Sequence, residues 1–180
     1  MSMQTRSSCE MIIPLPEETK DSYLLGVRAG IDANMDIIDT YTCMMLKNTE
    51  LRDAFFVKRF EMETKHRIVP RDFGRYLGKY IIETEEVCVS TSTMILEEYI
   101  HLRGFNFVVS SFYNQKHLHE IVRYLKANKL SIYDWLTRVQ ERLKDDKSEA
   151  GNIYRNFIED AENELWDSED ELLSYFSNDR

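Results

Sequence analysis

Any chemistry this chain performs must come from a short set of side chains. Three cysteines, Cys9, Cys43 and Cys88, are an odd number at wide intervals. That spacing fits neither a disulfide framework nor a zinc site with paired near neighbours, so they read as buried thiols. His117 and His119 are close in sequence, but on a helix two residues apart they diverge by roughly 200° and cannot share an ion. The four histidines read as surface residues. Glu17 with Glu18, and Glu85 with Glu86, could divide acid and base work, yet adjacent carboxylates at a helix start ordinarily serve the helix dipole. The hydroxyl run from Ser90 to Thr93 lacks the glycines of a nucleophile elbow, and a helix cap accounts for it more simply. Glu159, Asp160, Glu162, Glu164, Asp167, Glu169, Asp170 and Glu171 make an acidic tail, read first as a solvated face and second as a docking surface for a basic partner.

Composition narrows the classes. With 180 residues, 43% of them apolar, the chain can build one compact core or two partial ones. A formal charge of −9 opposes binding to nucleic acid or anionic lipid, which needs a basic face. No stretch approaches the roughly 18 uncharged apolar residues of a membrane span, and the polar opening Met1 to Ser8 lacks the apolar run of a signal peptide. The expectation is a cytoplasmic chain with neither nucleic acid nor membrane as partner.

The elements that would position these residues follow from apolar periodicity. Cys9 to Leu15 is short, apolar and branched, and it ends at two prolines, as a buried strand running into a loop does. Acidic residues at Glu17 and Glu18 then lead a helix with Tyr23, Leu24, Val27 and Ile31 on one face, which Asn34 can end. A second strand spans residues 37–46, rich in branched and aromatic side chains. Strand, helix, strand at this spacing predicts a βαβ unit with parallel strands, which need cover on both faces. Arg67 to Gly74, punctuated by Pro70 and Gly74, reads as a turn-rich connector. From Ser92 the helical period returns: Ile95, Leu96, Tyr99, Ile100, Phe107, Val108 and Phe112 line one helix that Gly104 interrupts or weakens. Leu118 to Leu125 and a Ser131-capped run from Ile132 to Leu143 supply two more. Ile153, Phe157, Ile158 and Leu165 mark another, and a final one starts at the Ser168/Glu171 capping box. The predicted class is mixed α/β, mostly α, with residues 1–60 a strand–helix–strand unit, 61–90 a connector and 91–180 a helical module.

Two phrases in the first 50 residues carry a resemblance. Met11-Ile12-Ile13-Pro14-Leu15-Pro16-Glu17-Glu18-Thr19, then a helix, then Tyr41-Thr42-Cys43-Met44-Met45-Leu46-Lys47-Asn48-Thr49-Glu50-Leu51, resembles the late part of a radical S-adenosylmethionine enzyme barrel. There one strand ends in a phrase like I-I-G-L-P-G-E-T and the next in one like L-x-G-T-x-L. Val69 to Gly74, Glu85 to Val87 and Ser92 to Met94 look like the C-terminal extension of members that also bear a cobalamin-binding domain. The resemblance covers roughly residues 9 to 115.

It implies a βαβ remnant of the barrel followed by the extension, with ligands at the C-terminal ends of the strands. Glu18, Thr19 and Thr49 would lie against S-adenosylmethionine. The family's four-iron cluster needs C-x-x-x-C-x-x-C, which this chain lacks, so no cofactor is expected in the chain alone. In the full enzyme, S-adenosylmethionine, the cluster and, in some members, cobalamin would be present. Three family glycines are Pro14, Glu17 and Asn48 here, changes that crowd the cofactor site. The implied function is a C-terminal part of such an enzyme, inert alone. The alternative, which the three glycine replacements favour, is a non-catalytic relic or helical interaction module. The implied partner is the missing N-terminal part of the enzyme; separately from the resemblance, the open edges and apolar faces of the two parallel strands favour a second copy of the chain.

Overall fold

The computed structural model describes residues 6–178, so residues 1–5 and 179–180, the outer ends of the units read from sequence, lie outside the described residues. The chain is mixed α/β and mostly helical. Strand β1 (Ser8–Ile13), helix α1 (Lys20–Asp32) and strand β2 (Ile37–Thr42) form the expected βαβ unit. β1 and β2 pair in parallel, from Ser8 opposite Ile37 to Ile13 opposite Thr42. Thr19 caps α1, its Oγ1 accepting from the Ser22 amide at 3.1 Å, and Asn34 leaves the helix with φ of 60°, a left-handed exit that asparagine tolerates.

The second strand is shorter than residues 37–46. Beyond Thr42 the chain stays extended but changes partner: the Cys88 amide donates to the Cys43 carbonyl, and the Met45 amide to that of Glu86, both at 2.8 Å. This joins β2 to a long antiparallel hairpin, β3 (Glu63–Tyr76) and β4 (Lys79–Ser90), with the short helix α2 (Ala54–Arg59) between. Residues 61–90 are therefore a hairpin and not a connector. The punctuation around Pro70 is a register shift inside β3, between Ile68 opposite Thr84 and Phe73 opposite Ile82. A bulge accommodates a proline that a regular ladder would reject.

Five helices complete the chain: α3 (Leu96–Val108), α4 (His119–Ala127), α5 (Ile132–Asp145), α6 (Glu149–Asn163) and α7 (Glu169–Asn178). Gly104 does not interrupt α3. It lies where α3 crosses α6, and a Cβ there would stand 2.5 Å from the Tyr154 hydroxyl. α3 runs on into a π-helical turn, Val109–Asn114. Ser131 and Ser168 cap as expected, accepting from the amides of Asp134 and Glu171. Ser90 to Thr93 caps no helix. Ser90 and Thr91 are buried, and Thr91 and Met94 close a tight turn on each other's backbone.

One apolar core joins the βαβ unit to the helices. Ile13, Tyr23, Val27, Ile31 and Ile38 pack with Tyr99, Leu102, Phe105, Val108 and Leu136, so residues 1–60 and 91–180 share an interior. The contributing sheet face is the one bearing Met11, Ile13 and Ile38. On the opposite face Ser8, Glu10, Ile12 and Tyr41 are exposed, Ile12 by 42% and Tyr41 by 48%. A parallel pair ordinarily has cover on both sides; this one has it on one. The outer edge of β2 is met by a side chain. Asn114 accepts from the Ile38 amide at 3.0 Å and donates to the Ile38 carbonyl at 2.9 Å, standing in for one residue of a third strand.

Candidate functional site

Because β1 and β2 are parallel, both end on the same side, the side on which parallel sheets hold their ligands. A cavity of about 330 Å³ opens there. Ile13 and residues 40–42 form one wall, Arg67 and Pro70 of β3 a second, and Arg103, Asn106, Phe107 and Ser110 a third, with Phe157 of α6 closing it. The π-helical turn begins beside it, and such turns recur at functional sites because they displace a side chain from regular helical spacing.

Two guanidinium groups dominate the electrostatics. Arg67 and Arg103 side chains are only 11% and 16% exposed. Arg67 Nε donates to Glu85 at 2.6 Å and its Nη1 to Glu164 Oε1 at 2.9 Å. Arg103 Nη1 donates to the same Glu164 oxygen at 2.7 Å and to the Tyr99 hydroxyl at 2.9 Å. Burial pulls the Arg103 guanidinium toward its neutral form, but Tyr99 and Glu164 outweigh burial and its pKa is raised. The guanidinium also lies over the rings of Tyr99 and Phe157, 5.8 Å from each centroid. Tyr99 reaches on to Thr42, with the two hydroxyls 3.3 Å apart. Asn106, 6% exposed, accepts from the Tyr23 hydroxyl at 3.0 Å.

The residues carried over from the resemblance sit elsewhere, and the cavity lining includes none of them. Glu18 is half-buried, which raises its carboxyl pKa, and its carbonyl accepts from Thr93 Oγ1 at 2.8 Å. Thr19 is committed to the α1 cap. Thr49 Oγ1 donates to the Leu46 carbonyl at 2.7 Å. Both threonine hydroxyls are thus occupied by backbone, which leaves Glu18 as the polar group of the three with a side chain still available. The glycine positions of the family phrases give a different result. Glu17 and Asn48 have φ of 66° and 65°, left-handed values that glycine adopts without steric cost.

The three cysteines divide between two places. Cys43 and Cys88 share a small second core with Met45, Phe60 and Met62, where burial pushes both thiols up, Cys88 to about 12. Cys9 lies on β1. Among the described residues, no group of three or more His, Cys, Asp or Glu is placed to hold a metal ion. His117 and His119 are exposed as read, but His66 and His101 are half-buried. Glu85 and Glu86 begin no helix. They lie on β4, Glu85 holding Arg67 and Glu86 pairing with Arg52 at 2.9 Å. Part of the acidic tail is engaged and not merely solvated: Asp167 pairs with Lys65, and Glu169 accepts from Thr84.

No protein-family model matches the chain, and no curated protein matches it. Among the described residues, no helix is long and apolar enough to cross a membrane.

Sequence reading passed over both arginines. For Arg103 a signal existed: it sits four residues from Tyr99 and four from Phe107, on the apolar stripe of its helix, where a charge needs a partner. For Arg67 there was none, because its position matters only through the register of the hairpin.

Proposed function

We propose that this chain is the C-terminal part of an enzyme of the radical S-adenosylmethionine kind. In this reading it is inert by itself and joins β1 and β2 to further parallel strands that carry C-x-x-x-C-x-x-C. The observation that carries the reading is the backbone at Glu17 and Asn48. The resemblance puts glycine at three places, and two of them, Glu17 and Asn48, have the left-handed φ that glycine serves, while the third is Pro14, which does not. The open face of the strand pair supports it too, since Ser8, Glu10, Ile12 and Tyr41 would face the barrel interior once neighbouring strands were added. The coding DNA upstream is the test. A reading frame with C-x-x-x-C-x-x-C and several strand–helix repeats, continuous with or adjoining this one, is expected. Its absence over the roughly 190 codons that the six other strands of such a barrel need would contradict the proposal.

A second reading, a non-catalytic module that binds a partner, draws on the shared core, because the helices after residue 90 already cover one face of the strands. It expects a monomer in light scattering at about 100 μM, a range where an open strand edge otherwise favours association. Self-association abolished by Ile12→Lys with Tyr41→Glu would favour the barrel reading.

A further inference from the structure

We infer that the cavity at the strand ends binds a small organic oxyanion, a carboxylate or a phosphate ester, on the donors of Arg67, Arg103 and Asn106 that their protein partners leave unused. Arg67 uses Nε and Nη1 on Glu85 and Glu164, and Arg103 uses Nη1 on Glu164 and Tyr99. The Nη2 groups of both, and Arg103 Nε, have no hydrogen-bond partner among the described residues. Asn106 spends its oxygen on Tyr23, which leaves its amide N–H groups free. Among the described residues no buried side-chain nitrogen or oxygen is without a partner, so these unspent donors reach solvent, and all three residues line the cavity.

Thr40 and Ser110 add hydroxyls to the same lining, and these can donate to whatever the guanidinium groups hold. Glu85 lies outside the lining, and Glu164 turns its Oε1 to the two arginines. What the lining offers is therefore an excess of hydrogen-bond donors, from two guanidinium groups whose charges Glu85 and Glu164 balance. A ligand that answers it must bring acceptor oxygens, and the planar fork of arginine suits those of carboxylate and phosphate. Phe107 and Phe157 give an apolar body a wall to lie on. A volume near 330 Å³ lies at the small end of the range for small-molecule pockets. The inference uses this chain's own residues and does not depend on the barrel reading, so either can fail without the other.

The test is NMR titration of the full chain, following the arginine Nε–H resonances, with three probes of similar size: benzoate, phenyl phosphate and neutral benzamide. One or both anions should shift the Arg67 and Arg103 signals saturably at millimolar concentration, and the tighter one identifies the class of oxyanion. Benzamide should leave the signals in place. Arg103→Lys keeps the charge but loses the fork, and should weaken binding about tenfold, the size of one charge-assisted bond. Thr40→Val, which disturbs no ion pair, should weaken it about threefold and keeps the test open if the arginine variant unfolds. No saturable shift with either anion, or an equal shift with benzamide, would overturn the inference.

Discussion

Replacing Gly104 by alanine sets two effects of opposite sign against each other. In an exposed helix interior, glycine to alanine gains about 1 kcal/mol, and reading Gly104 as a weak point of its helix would predict that gain. The structure predicts a loss. The new Cβ would stand 2.5 Å from the Tyr154 hydroxyl and 2.8 Å from Ile158 Cδ1, and overpacking of that kind costs about 1–3 kcal/mol. Tyr154 is buried and cannot swing aside freely. Its hydroxyl accepts from Gln140 Nε2 at 3.0 Å, and Gln140 is itself 1% exposed, so losing that bond costs about 1 kcal/mol more. Offsetting the helical gain against both losses leaves a net destabilisation of about 2 kcal/mol. Urea denaturation at constant m-value measures it. Tyr154→Phe in the Gly104→Ala background, which removes the colliding oxygen, should recover part of the loss. A Gly104→Ala variant more stable than the wild type would refute the close crossing of α3 and α6.

Glu17→Gly should stabilise the chain by about 0.5–1 kcal/mol, the left-handed cost relieved less the entropy glycine adds to the unfolded state. Asn48→Gly should gain less, because asparagine tolerates that backbone better; a lower melting temperature for Glu17→Gly would contradict the assigned φ. Iron and sulfide added anaerobically to the isolated chain should leave no stoichiometric thiolate-bound cluster, and a brown chromophore absorbing near about 400 nm would count against the placement of the cysteines. Burial, with Lys144 nearby, lowers the pKa of His101. The folded chain therefore holds the proton less well than the unfolded one, and this contribution to stability, full above about pH 6.5, should be lost as pH falls below it. In His101→Gln that part of the slope should vanish, and an unchanged slope would assign it to other groups.

Local patterns were legible and partner choices were not. The βαβ unit could be read because apolar runs, acidic helix start and Asn34 all act within a few residues. The hairpin could not, because Pro70 and Gly74 are turn signals in isolation and become a bulge only when β4 lies alongside. Residues 43–46 looked like more of the second strand, and they are extended; what changes after Thr42 is the neighbouring strand, which no residue type announces. The carried-over Glu18, Thr19 and Thr49 follow their phrases and therefore their loops, whereas the arginine cluster brings together residues 67, 85, 103 and 164, from three helices and strands plus the end of α6. Charge at such separations meets only in the folded chain.

The proposal that this chain completes a barrel is tested most directly by co-expression with a polypeptide carrying C-x-x-x-C-x-x-C and the remaining parallel strands. Purified anaerobically, the two should elute together at equal stoichiometry with four irons per complex, and Ile12→Lys with Tyr41→Glu on the open strand face should separate them while leaving this chain folded. A chain that elutes alone as a folded monomer beside an intact cluster protein would contradict the claim.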